Sequence, residues 1–406
     1  MSEVVNIPQL RFPGFSGEWK DKRFDSLYPT VRNGFVGVAT PYYVEEGVPY
    51  LQGKNIKSGA INKNGLVYIN EYFHQKSKKS QLRKNDIVMV QSGHVGECAV
   101  ITEEFEDTNC HALLVSTPTH DIDSKFYINY FYSKFGRKKI HRITTGNTIK
   151  HILSSDLKIQ IVSNPSYQEQ QKIAAFLTAV DSKIEQLSKK KALLGEYKKG
   201  LMQQIFSQAI RFKADDGSDF PDWEEKELGD VFEIKAGQSK SKHIKKDGKN
   251  IIVDMGGISS EPKLVAKKLT DYDDDFLTTN DLVMPKDDIG GGLIIGKVAE
   301  IPENNKYICG DHIYKLTVVN GNITFLKYAI NSYQVNKSFR QKANGTAQIG
   351  LSRKEVENQL LSFPSLKEQT KIANFLSSID SKIEQVGKQL NESKQFKKAL
   401  LQQMFV

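Results

Sequence analysis

The sequence predicts an α+β protein in which two globular α/β domains alternate with two long helices, so that the chain is an internal repeat. Three observations predict it. A 40-residue segment occurs at 168–207 and again at 367–406, aligned without a gap and with 20 of 40 positions identical. Both copies carry apolar residues at heptad spacing. The stretches outside them, far more divergent, alternate short β-rich runs such as VPYLQGKNI, DIVMVQ and ALLVS with Gly, Asn and Asp turns, and then show helical patterns such as KFYINYFYSKFGRKKIHRI.

The helices have the plainest pattern. Ser166 with Glu169, and Ser365 with Glu368, have capping-box spacing, and a proline (Pro165, Pro364) precedes each. The apolar positions then fall on an a/d seam: Ile173, Leu177, Val180, Ile184 and Leu187 in one copy, Ile372, Leu376, Ile379, Ile383 and Val386 in the other. Lys191, Lys198, Ser393 and Lys397 occupy seam positions in the distal halves and make the stripe imperfect there. Forty helical residues span roughly 60 Å, and a single stripe of that length needs a partner of similar length. The other copy is the nearest one, in a parallel or an antiparallel pair; packing of each helix on its own domain is the alternative.

The helices delimit the domains. The first domain is expected at 1–164, the central spacer helix at 165–207, the second domain at 208–363 and the last helix at 364–406. The duplication extends weakly into the domains. Trp19 matches Trp223, KNDIVMVQSGHVGECAVI (84–101) matches TNDLVMPKDDIGGGLII (279–295), His111 matches His312, and Gly146 matches Gly345.

Length, 406 residues, allows two or three cores, and 39% apolar with 10% aromatic content fits globular protein. The absence of an apolar run near 18 residues and of a signal pattern predicts a soluble, unexported chain. Three cysteines suit a reducing cytosol better than a disulfide framework. A net charge of +9 favours a polyanionic partner. That charge is uneven: residues 1–164 carry 21 basic and 16 acidic side chains, whereas 208–366 carry 22 and 24. Any polyanion-binding face of the second domain is therefore local, and KAGQSKSKHIKKDGK (235–249) is its most basic stretch.

Four motifs suggest chemistry that their details do not support. NPSY (164–167) is similar to the NPPY of amino-methyltransferases, but Ser166 replaces a proline and the other copy reads FPSL. The carboxylates of PDWEEK (221–226) are too close in sequence to meet around a nuclease metal. GGLIIGKV (291–298) fits G-x-x-x-x-G-K, but Val298 stands where Mg²⁺ needs a hydroxyl, and the residues after it have the pattern of a strand. His94, Cys98, Cys110 and His111 lack zinc-ligand spacing, and their repeat counterparts keep only His312. No metal site, nucleophile, acid/base pair or nucleotide fold remains, so the chain is read as a binding protein and not an enzyme.

The pattern P-x-x-x-EQ-x-KIA-x-FL-x-x-x-D-x-KIE at 165–185 and 364–384 resembles the specificity subunit of type I restriction–modification systems, as do PYLQGKNI (49–56), KNDIVMVQSGHVGE (84–97) and W-x-x-K-x-L-G-D-x-F (223–232). The resemblance implies a non-catalytic subunit, in which each domain reads one half of a bipartite site on double-stranded DNA. It implies that the helices form an antiparallel coiled coil with pseudo-twofold symmetry, which fixes the unread gap and docks two modification (methyltransferase) subunits. S-adenosylmethionine, ATP and Mg²⁺ would then belong to those subunits and to motor–nuclease restriction subunits, with no cofactor on this chain and no membrane contact. A free-standing DNA-binding regulator and a coiled-coil interaction scaffold are the rival readings.

Polar loop residues are the candidates for base and phosphate contacts. In the first domain they are Gln52, Lys54, Asn55, Gln91, Ser92, His94, Arg142, Thr145, Asn147 and Lys150. In the second they are Gln238, Ser239, Lys240, Lys242, His243, Lys286, Arg340, Asn344, Thr346 and Gln348, with Lys240, Lys242, Lys245 and Lys246 expected to hold phosphates.

Overall fold

The two long helices run from Tyr167 to Phe206 and from Leu366 to Gln403 in the computed structural model, which describes residues 6–289, 291–345 and 348–406. The chain divides into two units, Met1–Lys189 with Gly387–Val406, and Lys190–Val386, so each unit contains part of both helices. Among the described residues, no helix is long and apolar enough to cross a membrane.

In the first unit the apolar run Ile87–Val90 is buried on both faces and lies inside a four-stranded antiparallel sheet. The strand order is Thr30–Asn33, Leu113–Thr117, Ile87–Val90, Cys98–Val100. A second sheet of short strands includes Val48–Leu51 parallel to Asn109–Cys110. Helices Ser124–Tyr132 and Lys134–Arg142 come next, and Ile161–Asn164 returns to pair with Lys20–Arg23. The core joins Trp19, Phe24, Tyr28, Phe126 and Tyr127 to Ile173, Ala174 and Leu177 of the first long helix and to Leu400, Met404 and Phe405 at the end of the last. The first long helix thus meets the last in the antiparallel sense: Asp181 pairs with Lys397, and toward the other's end Ile173 shares a core with Met404.

The second unit repeats this plan. Its sheet runs Phe232–Ala236, Ile313–Val318, Asp281–Pro285, Ala299–Glu300, and Asn250–Val253 pairs in parallel with Tyr307–Cys309. Here Ile205 of the first long helix shares a core with Ile372, Ala373, Leu376 and Ile379, and Lys198 pairs with Asp380. The seam residues Ile173, Leu177, Leu187, Ile372, Leu376, Ile379 and Val386 are buried, and Val180, Ile184 and Ile383 are half-buried.

The helix starts differ from the reciprocal capping box in one respect. Ser166 and Ser365 accept the N–H groups of Glu169 and Glu368 at 3.3 and 3.4 Å. The glutamate side chains do not return to the cap; each takes an arginine from the segment that leads into its unit. Arg11 donates to both oxygens of Glu169 at 2.7 and 2.8 Å, and Arg211 to both oxygens of Glu368 at 3.2 and 2.9 Å. Both carboxylates are buried, and a guanidinium fork outcompetes a single backbone N–H for such a charge. Next to them the buried amides of Gln170 and Gln369 accept from the backbone of Asp123 and Asn322, the N-cap residues of the domain helices, and donate to Pro165 and Pro364. The EQ pair of the repeated motif therefore fastens each domain to its helix.

Candidate nucleic-acid interface

In the first unit three loops converge. The turn after Ile87–Val90 carries Ser92 and His94, the segment 53–58 carries Lys54 and Lys57, and residues 145–151 form a tight hairpin. The hairpin is closed by reciprocal Thr145 and His151 backbone bonds of 2.9 Å and joined to the turn through Gly93 N–H to Lys150 O. Gly146 has φ +95°, and a Cβ there would run into the Ile149 carbonyl, so the bend requires glycine. Together with helix Lys134–Arg142 the loops wall a cleft of about 720 Å³ whose lining includes Lys54, Lys57, His94, Arg137, His141 and Lys150, with Glu97 as its carboxylate.

Glu97 organises one wall. It accepts from Ser58 N–H (2.6 Å), Tyr132 Oη (2.8 Å) and Arg137 (2.9 Å), and the Arg137 guanidinium lies 4.4 Å over the Tyr132 ring. Burial pushes the Glu97 carboxyl up, but the Ser58, Arg137 and Tyr132 hydrogen bonds outweigh it and hold the group below its ordinary value. The arrangement can hold a chain of phosphates along a basic trough, with hairpin side chains at its rim.

The structure brings Lys54, His94 and Lys150 together in this cleft, with Ser92, Arg142, Thr145 and Asn147 exposed nearby in sequence. Thr145 Oγ1 is already 3.1 Å from the His151 ring. Three candidates turn inward. Asn55 is fully buried and its amide is spent on Gln52 N–H and Asn62 O, so it shapes the 53–55 turn and cannot read a base edge. Gln52 is half-buried and donates to Tyr43 Oη at 2.8 Å, and the Gln91 side-chain oxygen is buried without a partner among the described residues. Lys57, on the short strand Ile56–Lys57, and Arg137 and His141, on helix Lys134–Arg142, do not stand out in the sequence: a cation on a regular element looks like an ordinary solvated face until the fold shows what it faces.

In the second unit Asn344 and Gly350 exchange backbone bonds in the corresponding place, and Ile349–Gly350 pairs with Asp287–Asp288. Arg340, Asn344 and Gln348 are exposed there, while Thr346 lies outside the described residues. Gln238, Ser239, Lys242 and His243 are exposed on a different loop. Lys240 is not available to DNA: it is buried, sits 4.8 Å over the Tyr272 ring and pairs with Asp275 at 3.4 Å. Lys245 is paired with Asp271, so the acidic DYDDD stretch neutralises two lysines of the basic one, and Lys286 is paired with Asp311.

The motifs that only suggest chemistry serve as structure. Asn164 accepts from Tyr127 Oη and Gln170, and Glu224 opens a strand paired with Leu360–Phe363. The three cysteines are buried and free, with burial pushing the Cys110 thiol up to about 12. Among the described residues no cluster of His, Cys, Asp and Glu could hold a metal.

A family model described as the type I restriction modification DNA specificity domain matches residues 17–195 and again 221–394. The type I restriction enzyme MjaVIII specificity subunit of Methanocaldococcus jannaschii is 24% identical over 95% of this chain and 91% of its own length. The StySPI specificity subunit of Salmonella potsdam is 22% identical over 87% of this chain and 80% of its own. The crystal structure of a type I restriction–modification S subunit from M. genitalium shares the fold with a TM-score of 0.63, at 18% identity, over 98% of this chain and 99% of that one.

Proposed function

The chain belongs to the type I restriction–modification DNA specificity family, a DNA-recognition component without catalysis of its own, and we propose that each of its two units reads one half of a bipartite target. The observation that carries this reading is the basic cleft of the first unit, where Lys54, Lys57, His94, Arg137, His141 and Lys150 converge beside an exposed hairpin. Cations on rigid elements give sequence-independent affinity, and side chains on the adjoining loops give base readout.

In the assembly we propose, the antiparallel helices set the gap between half-sites and dock two modification subunits in the cytoplasm. S-adenosylmethionine is carried by those subunits, and ATP and Mg²⁺ serve the motor–nuclease subunits of the restriction complex. Co-purification tests this: the chain is expected to retain a methyltransferase-type subunit at one to two, and the complex to methylate adenine in a bipartite sequence found by sequencing modified DNA. A chain that binds its target tightly alone and retains no such subunit is a free-standing regulator, and the proposal fails.

A further inference from the structure

The segment that resembles a nucleotide loop, 291–298, has a second property. Gly296 adopts φ +68°, and a Cβ there would come within 2.6 Å of Phe339. The backbone at this point is therefore pressed directly onto helix Tyr333–Lys342. Two asparagines fix it further: Asn336 donates to Ile295 O at 2.9 Å, and Asn331 both accepts from Val298 N–H (3.1 Å) and donates to Val298 O (2.9 Å). Lys297 sits in the middle of this fastened stretch, and Arg340 comes directly after Phe339 on the helix it is pressed against. Lys297 is half-buried and Arg340 exposed. Among the described residues neither makes an ion pair; burial, and then the Arg340 charge, push the Lys297 ammonium below its ordinary value, with no carboxylate acting against them.

The first unit uses the same backbone device with the opposite charge. Gly96, at φ +82°, is pressed onto Ile140, and the next residue is Glu97, which neutralises Arg137. Where the first unit has an acid that holds its arginine, the second has two like charges on a rigid frame. Two cations on elements pressed together, one of them half-buried and neither paired among the described residues, favour an anion beside them. A phosphodiester suits the pair, since guanidinium and ammonium donors both match its oxygens. The paired residues Asn344 and Gly350 adjoin this place: Asn344 follows the same helix, and the Ile349 side chain lies beside Gly292 of the 291–298 segment.

We propose that Lys297 and Arg340 form a phosphodiester-binding site that anchors the DNA backbone of the half-site read by the second unit. This rests on the function proposed above and replaces Lys240 and Lys245 as the phosphate contacts of that unit.

The test uses the full chain with its modification subunits and a duplex carrying the methylated bipartite sequence. Neutral methylphosphonate linkages are placed one at a time along the second half-site. For the native chain, one or two positions should weaken binding. The Lys297→Met/Arg340→Gln variant should bind more weakly, lose sensitivity at those positions only, and show a salt-dependence slope lower by about 1, since one phosphate contributes about 0.9. Lys297→Arg should keep the native profile, which separates loss of charge from misfolding. A double variant with native slope and native methylphosphonate profile overturns the inference and leaves the proposed function standing. Failure of the native assembly to prefer the bipartite duplex over a scrambled one overturns both.

Discussion

Lys198 Nζ lies 2.6 and 2.8 Å from the two oxygens of Asp380, whose carboxylate also accepts from Tyr328 Oη at 2.6 Å. Lys397 pairs with Asp181 at 2.6 Å in the same way. Two of the three seam lysines, Lys198 and Lys397, are answered by the aspartate of the DSKIEQ hexapeptide in the other helix. Asp380 is 41% exposed, so solvent screens the pair. Asp380→Ala is expected to destabilise the chain by about 1 kcal/mol in urea, with a Lys198–Asp380 coupling of about 0.5–1 kcal/mol in a double-mutant cycle. A coupling of zero would mean the contact contributes only packing.

Removing Arg11 should have a larger effect. Its partner Glu169 is 2% exposed, so Arg11→Met leaves a buried, unpaired carboxylate. The expected loss is about 3–5 kcal/mol, read from chemical denaturation. Adding Glu169→Gln to the same chain should recover part of it. Arg211→Met should behave alike, because Arg211 holds the buried Glu368.

The first-unit cleft has an acid limit set by Glu97. Its carboxyl is held below its ordinary value, so its contribution is complete above about pH 4.3, the unfolded-chain value. It is lost as pH falls through the lower folded value. Glu97→Gln is therefore expected to flatten the acid limb of the stability profile while lowering stability at pH 7. Equal acid sensitivity in both proteins would contradict this.

Asn55 and Lys150 are candidates of the same kind by sequence, and they should separate in experiment. Asn55→Ala leaves buried backbone groups without partners and should cost about 1–3 kcal/mol of stability with the recognised sequence unchanged. Lys57→Ala/Lys150→Ala should leave stability near native and lower the salt slope of DNA binding by about 2. Affinity measured across NaCl concentrations distinguishes them.

The proposed role of the helices as a ruler is testable by length. One heptad inserted in each, near 188–194 and 387–393, keeps the apolar stripe in phase and adds roughly 10 Å at 1.5 Å per residue. The unread gap should grow by at most about 3 base pairs at 3.4 Å each, with both half-sites unchanged. Sequencing the methylated sites decides it; an active assembly with an unaltered gap removes the helices from that role.

The helices are legible in the sequence because duplication and a heptad pattern need no knowledge of the partner. Their ionic pairing is not, since Lys198 and Asp380 are 182 residues apart and a lysine on an apolar seam looks like a defect until its partner is placed. The Arg11 and Arg211 clamps escape notice although Leu10-Arg11-Phe12 and Ile210-Arg211-Phe212 repeat, with Phe12 on Phe176 and Phe212 on Phe375, both at 5.5 Å. Three residues are too few to stand out in divergent sequence. Asn55 and Lys240 mislead for the opposite reason: residue type suggests a surface role, and burial decides otherwise.

The hexapeptide pairing has a consequence for how such chains can be shuffled. A gene segment exchanged with breakpoints inside the two stretches that encode DSKIEQ imports the second recognition domain with its own Lys198, Arg211 and Glu368. Where donor and recipient share the hexapeptide at the far joint, the incoming lysine finds the Asp380 carboxylate whatever domain it accompanies. Sequence identity at these two places makes the joint interchangeable, and a new specificity can be spliced in without renegotiating the contacts that hold the helices together.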